Sequence, residues 1–221
     1  MPKIILSSDG SHTLISDEFN VTYHSSHGSI QESNTVFIHA GLDHLLSLGY
    51  EKISVFEMGF GSGLNALMAY LWAVEHGCEV QYTGIEAYPI VPEMAGQLNY
   101  IEVLNADDEA RIIFQKMHTE TNFKTPVFQF NKVIGFVENF DVKEEFDVIF
   151  YDAFAPSSQD HLWEKDILQL MFGALKNKGI LVTYCAKGAF KRTLKDVGFK
   201  IEALSGPVGK REMTRAVKGD F

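Results

Sequence analysis

Val55-Phe56-Glu57-Met58-Gly59-Phe60-Gly61-Ser62-Gly63-Leu64-Asn65 decides the fold. It joins an apolar run, an acid, three glycines spaced by two, and the start of a helical pattern. Glycine tolerates backbone angles closed to other residues and lets a ligand approach the main chain. A helix beginning directly after such a loop offers free N–H groups to an electron-rich ligand. The stretch therefore reads as strand, loop and helix around a nucleotide-type cofactor. A dinucleotide fingerprint spaces its glycines G-x-G-x-x-G and sets a pyrophosphate on the helix end. Here the spacing is G-x-G-x-G, and Glu57 stands two residues ahead of the first glycine. A carboxylate repels a pyrophosphate but suits a cofactor carrying an ammonium and a sulfonium, which is S-adenosylmethionine. A glycine-rich turn that only packs a helix against a strand fits the triplet equally well, so the surrounding chain has to decide.

Outward from the loop, strand and helix alternate. Residues 53–58 read as a strand and 64–76 as a helix ending at Gly77, followed by a strand at 80–85. Helices are expected at 92–104 and 107–118, and strands at 127–134 and 146–151. A helix at 163–175, closed by Asn177 and Gly179, leads to a strand at 180–185. A helix at 190–197, closed by Gly198, precedes a final strand pair at 201–204 and 213–217. This order predicts an α/β fold, Rossmann-like, with a mostly parallel sheet, helices on both faces and an antiparallel C-terminal strand. The first fifty residues differ. Short extended pieces at 13–15, 19–24 and 34–38, with a short helix at 42–48, predict a β-rich N-terminal appendage (1–50) before the main domain (51–221).

Composition narrows the function classes. A chain of 221 residues with 46% hydrophobic residues, 17 of them Phe, can bury a sizeable core. The two cysteines, Cys78 and Cys185, lie far apart in apolar contexts and read as reduced residues of a cytoplasmic protein. No apolar run reaches membrane-span length, the N-terminus has no secretory pattern, and the eight histidines show no ligand spacing, so neither membrane nor metal is expected. The net charge of −10 opposes general nucleic-acid affinity, but it is unevenly placed: residues 1–175 carry −17 and residues 176–221 carry +7. A basic end on an acidic body permits local phosphate binding, and equally a solvated basic face.

Two further acids close predicted strands. Glu86 lies 23 residues beyond Gly63, against about 20 for the acid that receives ribose hydroxyls in nucleotide folds. An ionised carboxylate is acceptor-only and can take both hydroxyl protons. Asp152 ends the apolar strand 146–151 and is followed by Ala153-Phe154-Ala155-Pro156. Methyl transfer to nitrogen needs a neutral amine with its lone pair aimed at the methyl carbon. A carboxylate there either accepts the amine proton or orients the N–H. Phe154 offers a face for a flat ring. Tyr23 and His24 read as packing or surface residues of the appendage, or as residues reaching a substrate. Lys210-Arg211, after Gly206-Pro207-Val208-Gly209, reads as a solvated hairpin or as a phosphate clamp.

Together these residues resemble the methyltransferase part of the MnmC family of tRNA wobble-uridine modification enzymes, also found in a stand-alone form, MnmD. The matching stretches are Glu57–Asn65, Glu86-Ala87-Tyr88-Pro89, Asp152-Ala153-Phe154-Ala155-Pro156 and Gly209-Lys210-Arg211-Glu212-Met213. Ser16-Asp17-Glu18-Phe19 and Val21-Thr22-Tyr23-His24-Ser25 match near the N-terminus. The likeness spans almost the whole chain. It implies a class I methyltransferase fold, S-adenosylmethionine as donor, and N-methylation of 5-aminomethyl-(2-thio)uridine in tRNA. Carried over by motif, Glu57, Gly59, Phe60, Gly61, Gly63 and Asn65 face the methionine part and Glu86 the ribose. Asp152 stands against both the cofactor and the acceptor amine, as the catalytic residue. Phe154, Tyr23, Lys210 and Arg211 fall to the tRNA substrate. The family's fused form adds a flavin-dependent oxidase. With no second glycine fingerprint before Phe221, this chain is expected to bind no FAD and to depend on a separate oxidase or aminomethyl-forming system. Where the family commonly shows Gly-Asp, this chain has Gly135-Phe136, so the adenine contact falls to the Phe136 ring or to a backbone group. The competing readings are a methyl- or aminopropyl-transferase acting on a small amine, and a degenerate cofactor-binding subunit without turnover.

Overall fold

The computed structural model describes residues 2–17 and 19–219; Glu18 of the N-terminal motif and the terminal Phe221 lie outside the described residues. β1 (Lys3–Leu6) and β2 (His12–Ile15) form a two-stranded hairpin. A continuous helical segment follows, made of α1 (Ser29–Ser33), a π-helical stretch (Asn34–Asp43) and α2 (His44–Ser47). The main domain runs β3 (Lys52–Met58), α3 (Leu64–His76), β4 (Glu79–Glu86), α4 (Pro92–Ala95), α5 (Tyr100–Val103), α6 (Asp108–Thr119), β5 (Asn122–Lys124), β6 (Phe128–Ile134), β7 (Phe146–Tyr151), α7 (Lys165–Ala174), β8 (Leu175–Thr183), α8 (Gly188–Val197), β9 (Phe199–Ser205) and β10 (Glu212–Lys218). The eight-stranded sheet has the order β5-β6-β4-β3-β7-β8-β10-β9. β6, β4, β3, β7 and β8 are parallel, while β10 pairs antiparallel with both β8 and β9. Strand order reverses beside β3, between β4 and β7, which is where ligands sit in open α/β sheets.

The central strands read as apolar runs because both their faces are covered. Successive side chains point to opposite faces. Val55, Val148 and Phe150 join one core with α3 and α6; Phe56, Met58, Ile149 and Tyr151 join the other with α7 and α8. Helix ends are set locally. α3 starts after Gly63 (φ 78°) and stops at Gly77 (φ 63°), both left-handed. Asp107 Oδ1 accepts from the Ala110 amide at 2.8 Å and caps α6. At its other end, the buried Lys132 Nζ donates to the Met117 and His118 carbonyls at 2.6 and 3.3 Å.

Four local expectations change. Residues 34–38 are helical rather than extended. Val36, Phe37, Leu42 and Leu45 are buried in the core that also holds Val55 and Leu67, and this burial overrides the strand preference of a Thr-Val-Phe-Ile run. The first fifty residues are thus a hairpin followed by helix rather than β-rich. The expected helix at 92–104 is two single turns separated around Gly96. α7 is shorter than expected: Trp163 belongs to a preceding 3-10 turn, and the chain enters β8 directly at Leu175. Among the described residues no helix is long and apolar enough to cross a membrane.

Candidate active site

The carboxyl ends of β3, β4, β6 and β7 open into a cavity of ≈ 620 Å³. Its floor is the glycine loop. Gly59, Gly61 and Gly63 take φ of 92°, 52° and 78°, values that side chains rarely tolerate. A Cβ on Gly59 would lie 2.8 Å from the Asp152 carbonyl oxygen, so the loop crosses the end of β7 with no room for a side chain.

Glu86 closes β4 and lines the cavity. Its Oε2 accepts from the Gly61 amide at 2.8 Å and its Oε1 from the Tyr88 amide at 2.9 Å. Two backbone donors thus fix the carboxylate, and each oxygen retains acceptor capacity for a diol. Phe136 and Tyr88 stand on the same rim, 51% and 57% exposed, with ring centroids 5.9 Å apart and edge to face. The sequence points to Phe136 but gives no role to Tyr88, although Tyr88 lies within the Glu86-Ala87-Tyr88-Pro89 motif.

Asp152 closes β7 with a side chain only 9% exposed. Asn65 Nδ2 donates to Asp152 Oδ2 at 2.8 Å and to Glu57 Oε1 at 2.9 Å, so one amide bridges two carboxylates. Burial is the main cause that pushes Asp152 up to about 7; the charge of Glu32 adds to it, while the Asn65 bond and Lys210 oppose it. Glu57 is fully buried, with the Tyr82 hydroxyl beside it favouring its charged form. Burial, then the Asp152 charge, raises it well above the ordinary carboxylate range. Glu57, Gly63 and Asn65 sit behind the cavity wall rather than on it; Gly59, Phe60, Gly61, Glu86, Phe136 and Asp152 line it. Glu57 is therefore linked to the cavity wall through Asn65, whose amide it shares with Asp152.

The turn after Asp152 is pinned on two sides. Tyr184 Oη donates to the Ala153 carbonyl and Trp163 Nε1 to the Phe154 carbonyl, each at 2.8 Å. Phe154 meets Tyr23 edge to face at 5.1 Å and Phe19 at 5.4 Å, so the expected pair Tyr23 and Phe154 lies together on the Asp152 side of the cavity. His24, left open from sequence, is buried with Nδ1 3.9 Å from Asp152 Oδ2 and Nε2 3.1 Å from Ser62 Oγ. Burial is the main cause that pushes His24 down to about 4, so it is neutral at physiological pH.

Lys210 and Arg211 lie apart from the main cavity, on a shallow shelf with Lys187, Tyr184 and Pro156. Arg211 is exposed. Lys210 is not a free clamp: its ammonium pairs with the buried Glu32 carboxylate and lies 3.9 Å from the Tyr184 ring centroid. Sequence reasoning missed Glu32. Its one signal was isolation, as the only charge between Glu18 and Asp43.

These residues fit S-adenosylmethionine. The glycine cradle leaves no space for side chains, Glu86 is held by two amides with acceptor capacity left for a diol, and the buried carboxyl of Glu57 lies behind the loop. Comparison with known proteins agrees. Relatives named tRNA 5-methylaminomethyl-2-thiouridine biosynthesis bifunctional protein MnmC include one from Pseudoalteromonas atlantica, 26% identical over 93% of this chain and 32% of the relative. Another, from Cupriavidus metallidurans, is 27% identical over 96% of this chain and 33% of the relative. The chain thus spans about a third of the length of these curated relatives. Among solved structures, MNMC2 from Aquifex aeolicus superposes with a TM-score of 0.80 at 24% identity, covering 100% of this chain and 73% of that one. Spermidine synthase from Thermotoga maritima gives 0.53 at 18% identity, over 98% and 73% of the two chains. Both share the fold. A family model described as S-adenosyl-L-methionine-dependent methyltransferase matches residues 100–219, which include Asp152 and the Lys210-Arg211 hairpin. With more than half of its length matched, the chain belongs to this family of S-adenosyl-L-methionine-dependent methyltransferases.

Proposed function

We propose that the chain methylates the primary amine of 5-aminomethyl-(2-thio)uridine at the wobble position of tRNA, giving the 5-methylaminomethyl form. The observation that carries this reading is Asp152: a buried carboxylate at the cavity end of β7, pushed up to about 7 and set beside an aromatic cluster. S-adenosylmethionine, when bound, supplies an electrophilic methyl group on a sulfonium. Glu86 receives the ribose hydroxyls, and Tyr88 and Phe136 flank the base.

An alkylamine reaches the site mostly as its ammonium, which has no free lone pair. Asp152 near neutral pH is poised to take that proton, because its affinity for a proton is close to the operating pH. Asn65 holds Oδ2, which leaves Oδ1 to face the amine. The pinned carbonyls of Ala153 and Phe154 keep the carboxylate and the Phe154 ring in fixed relation, so little orientation is lost on binding. Phe154 and Tyr23 offer ring faces and edges to a uridine turned out of its stack, a usual mode of reading single-stranded RNA bases. Arg211 and Lys187, beyond the same turn, supply positive charge for the flanking phosphates. A separate reaction must first create the primary amine on tRNA, and we infer that both steps are cytoplasmic.

The test is transfer of labelled methyl to tRNA bearing 5-aminomethyluridine, followed by mass spectrometry of the nucleosides. A gain of one methyl at that nucleoside is expected. Purified protein that binds the donor but leaves this nucleoside unmodified overturns the reading.

A further inference from the structure

We infer that the ion pair of buried Glu32 with half-buried Lys210 is a positioning element for the acceptor side of the active site, clamping the two walls that flank Asp152, and that Lys210 makes no tRNA contact. The inference rests on the methyltransferase reading above. It stands on four contacts. Lys210 pairs with Glu32 across 178 residues of sequence. Its ammonium also lies over the Tyr184 ring at 3.9 Å, a favourable cation–π placement. Tyr184 in turn donates to the carbonyl of Ala153, the residue after Asp152. On the other wall, Glu32 Oε2 accepts from the Ser25 amide at 2.7 Å, next to His24, whose ring faces Asp152. The 206–210 loop is docked on the same N-terminal segment: the Val208 amide donates to Gln31 Oε1 at 3.2 Å, and a Cβ on Gly209 would lie 2.7 Å from the His27 ring.

The pair therefore joins the N-terminal segment to the β9–β10 hairpin beside the catalytic turn. With the Glu32 side chain 6% exposed and that of Lys210 33% exposed, removing Lys210 leaves the buried Glu32 charge uncompensated. Asp152 feels both charges, Glu32 raising it and Lys210 lowering it. The other groups around Asp152 are His24, Glu57, Asn65, Tyr82 and Tyr184. None of these is a cation at neutral pH, so Lys210 is the cation that opposes the ionisation cost of Asp152.

The experiment measures kcat against pH, and tRNA affinity against salt, for Lys210→Met, Glu32→Gln, Lys210→Arg and the double variant Glu32→Gln/Lys210→Met. Misplacing a catalytic group by about 1 Å costs up to ~100-fold, so kcat for Lys210→Met should fall roughly 10- to 100-fold. The acid limb of its pH profile should move upward, with the slope of log Kd against log salt unchanged. Glu32→Gln should move the limb downward, and Lys210→Arg should recover most of the rate. If Lys210→Met does not fold, the double variant leaves no lone buried charge and should still show a reduced kcat. A lowered salt slope with an unmoved pH limb assigns Lys210 to phosphate and overturns the inference. A double variant with wild-type kcat also overturns it. Asp152→Asn in the same assay separates the two levels: full activity there defeats the proposed reaction itself, not merely the role of the pair.

Discussion

Asp147 lies near the start of β7 and Asp152 directly after its end, five positions apart, with side chains 8% and 9% exposed. Their surroundings are opposite. Asp147, at the start of β7, accepts from the Ser54 amide at 2.7 Å and from Lys176 Nζ at 3.0 and 3.1 Å. It ties β3, β7 and β8 together at the closed edge of the sheet. Asp152, at the open edge, shares one amide with Glu57 and, among the described residues, has no lysine or arginine paired directly with it. Burial alone thus does not mark a functional acid. A buried carboxylate with a partner charge and a backbone donor is structural; one left with a competing carboxylate and a cavity in front of it stores electrostatic cost that a cationic ligand relieves.

The largest expected effect is at the open edge. Asp152→Asn keeps the shape and can still accept from Asn65, but it cannot take a proton. Turnover should fall by about 10²- to 10⁴-fold, with donor binding retained, as read by methyl transfer and by calorimetry. The same substitution should change stability in a defined pH window. Asp152 ionises near 3.8 when unfolded and about 7 when folded. Its cost to the ligand-free fold is therefore absent below about pH 4, grows as pH rises, and is complete above about pH 7. Asp152→Asn should melt higher than the parent above about pH 7 and equally below about pH 4, in scans of the two proteins side by side. A melting difference independent of pH would break the contrast between the two aspartates.

The closed edge should respond in the opposite sense. Asp147→Ala leaves the Ser54 amide unpaired in the core and removes the partner of Lys176. We expect a loss of about 2–3 kcal/mol, which for a chain of this size lowers Tm by roughly 5–10 °C, with kcat unchanged. Denaturant melts and steady-state kinetics check both. A fall in kcat at unchanged fold would mean the two edges are coupled.

How much of this contrast was legible in sequence follows from where each partner lies. The glycine loop, Glu86 and Asp152 are readable because apolar runs announce strands and the residue after a run sits at the strand's end. Asp147 gave no such signal; it sits inside the run 146–151, and its partner Lys176 is 29 residues away. Asn65 was named from the loop motif, but its bridge to two acids needs β3 and β7 side by side. The Glu32–Lys210 pair joins opposite ends of the chain, and no local spacing encodes it. The helix over residues 34–38 was misread for the same reason, since its β-branched and aromatic residues are satisfied by the sheet face above them, not by neighbours in sequence.

A smaller effect at the open edge tests the second acid. Glu86→Gln retains one carbonyl oxygen where two backbone amides, of Gly61 and Tyr88, now bind two carboxylate oxygens. One amide must lose its partner, and the diol loses a charged acceptor. Hydrogen bonds to charged groups contribute about 1.5–3 kcal/mol, so donor affinity should weaken roughly 10- to 100-fold. Turnover at saturating donor should change little, because Glu86 does not touch the acceptor amine. Equal losses in affinity and turnover would mean that the loop held by Glu86 also sets Asp152, and would merge two parts of the open edge that the geometry keeps separate.

The smallest expected effect lies outside both edges, on the shelf beyond the turn that follows Asp152. Arg211 is exposed there, next to a lysine already engaged by Glu32. Removing a side chain that neutralises one phosphate should lower the slope of log Kd against log salt by about 1, weaken tRNA binding a few-fold at moderate salt, and leave kcat and melting temperature unchanged. Filter binding of tRNA across a salt series measures it. The neighbouring position sharpens the outcome: Arg211→Ala and Lys210→Met differ by one residue, yet the first should act on affinity and the second on rate. If both variants lower the salt slope alike, the basic hairpin is a single phosphate surface, and the electrostatic division between a paired positioning charge and an exposed binding charge fails at this site.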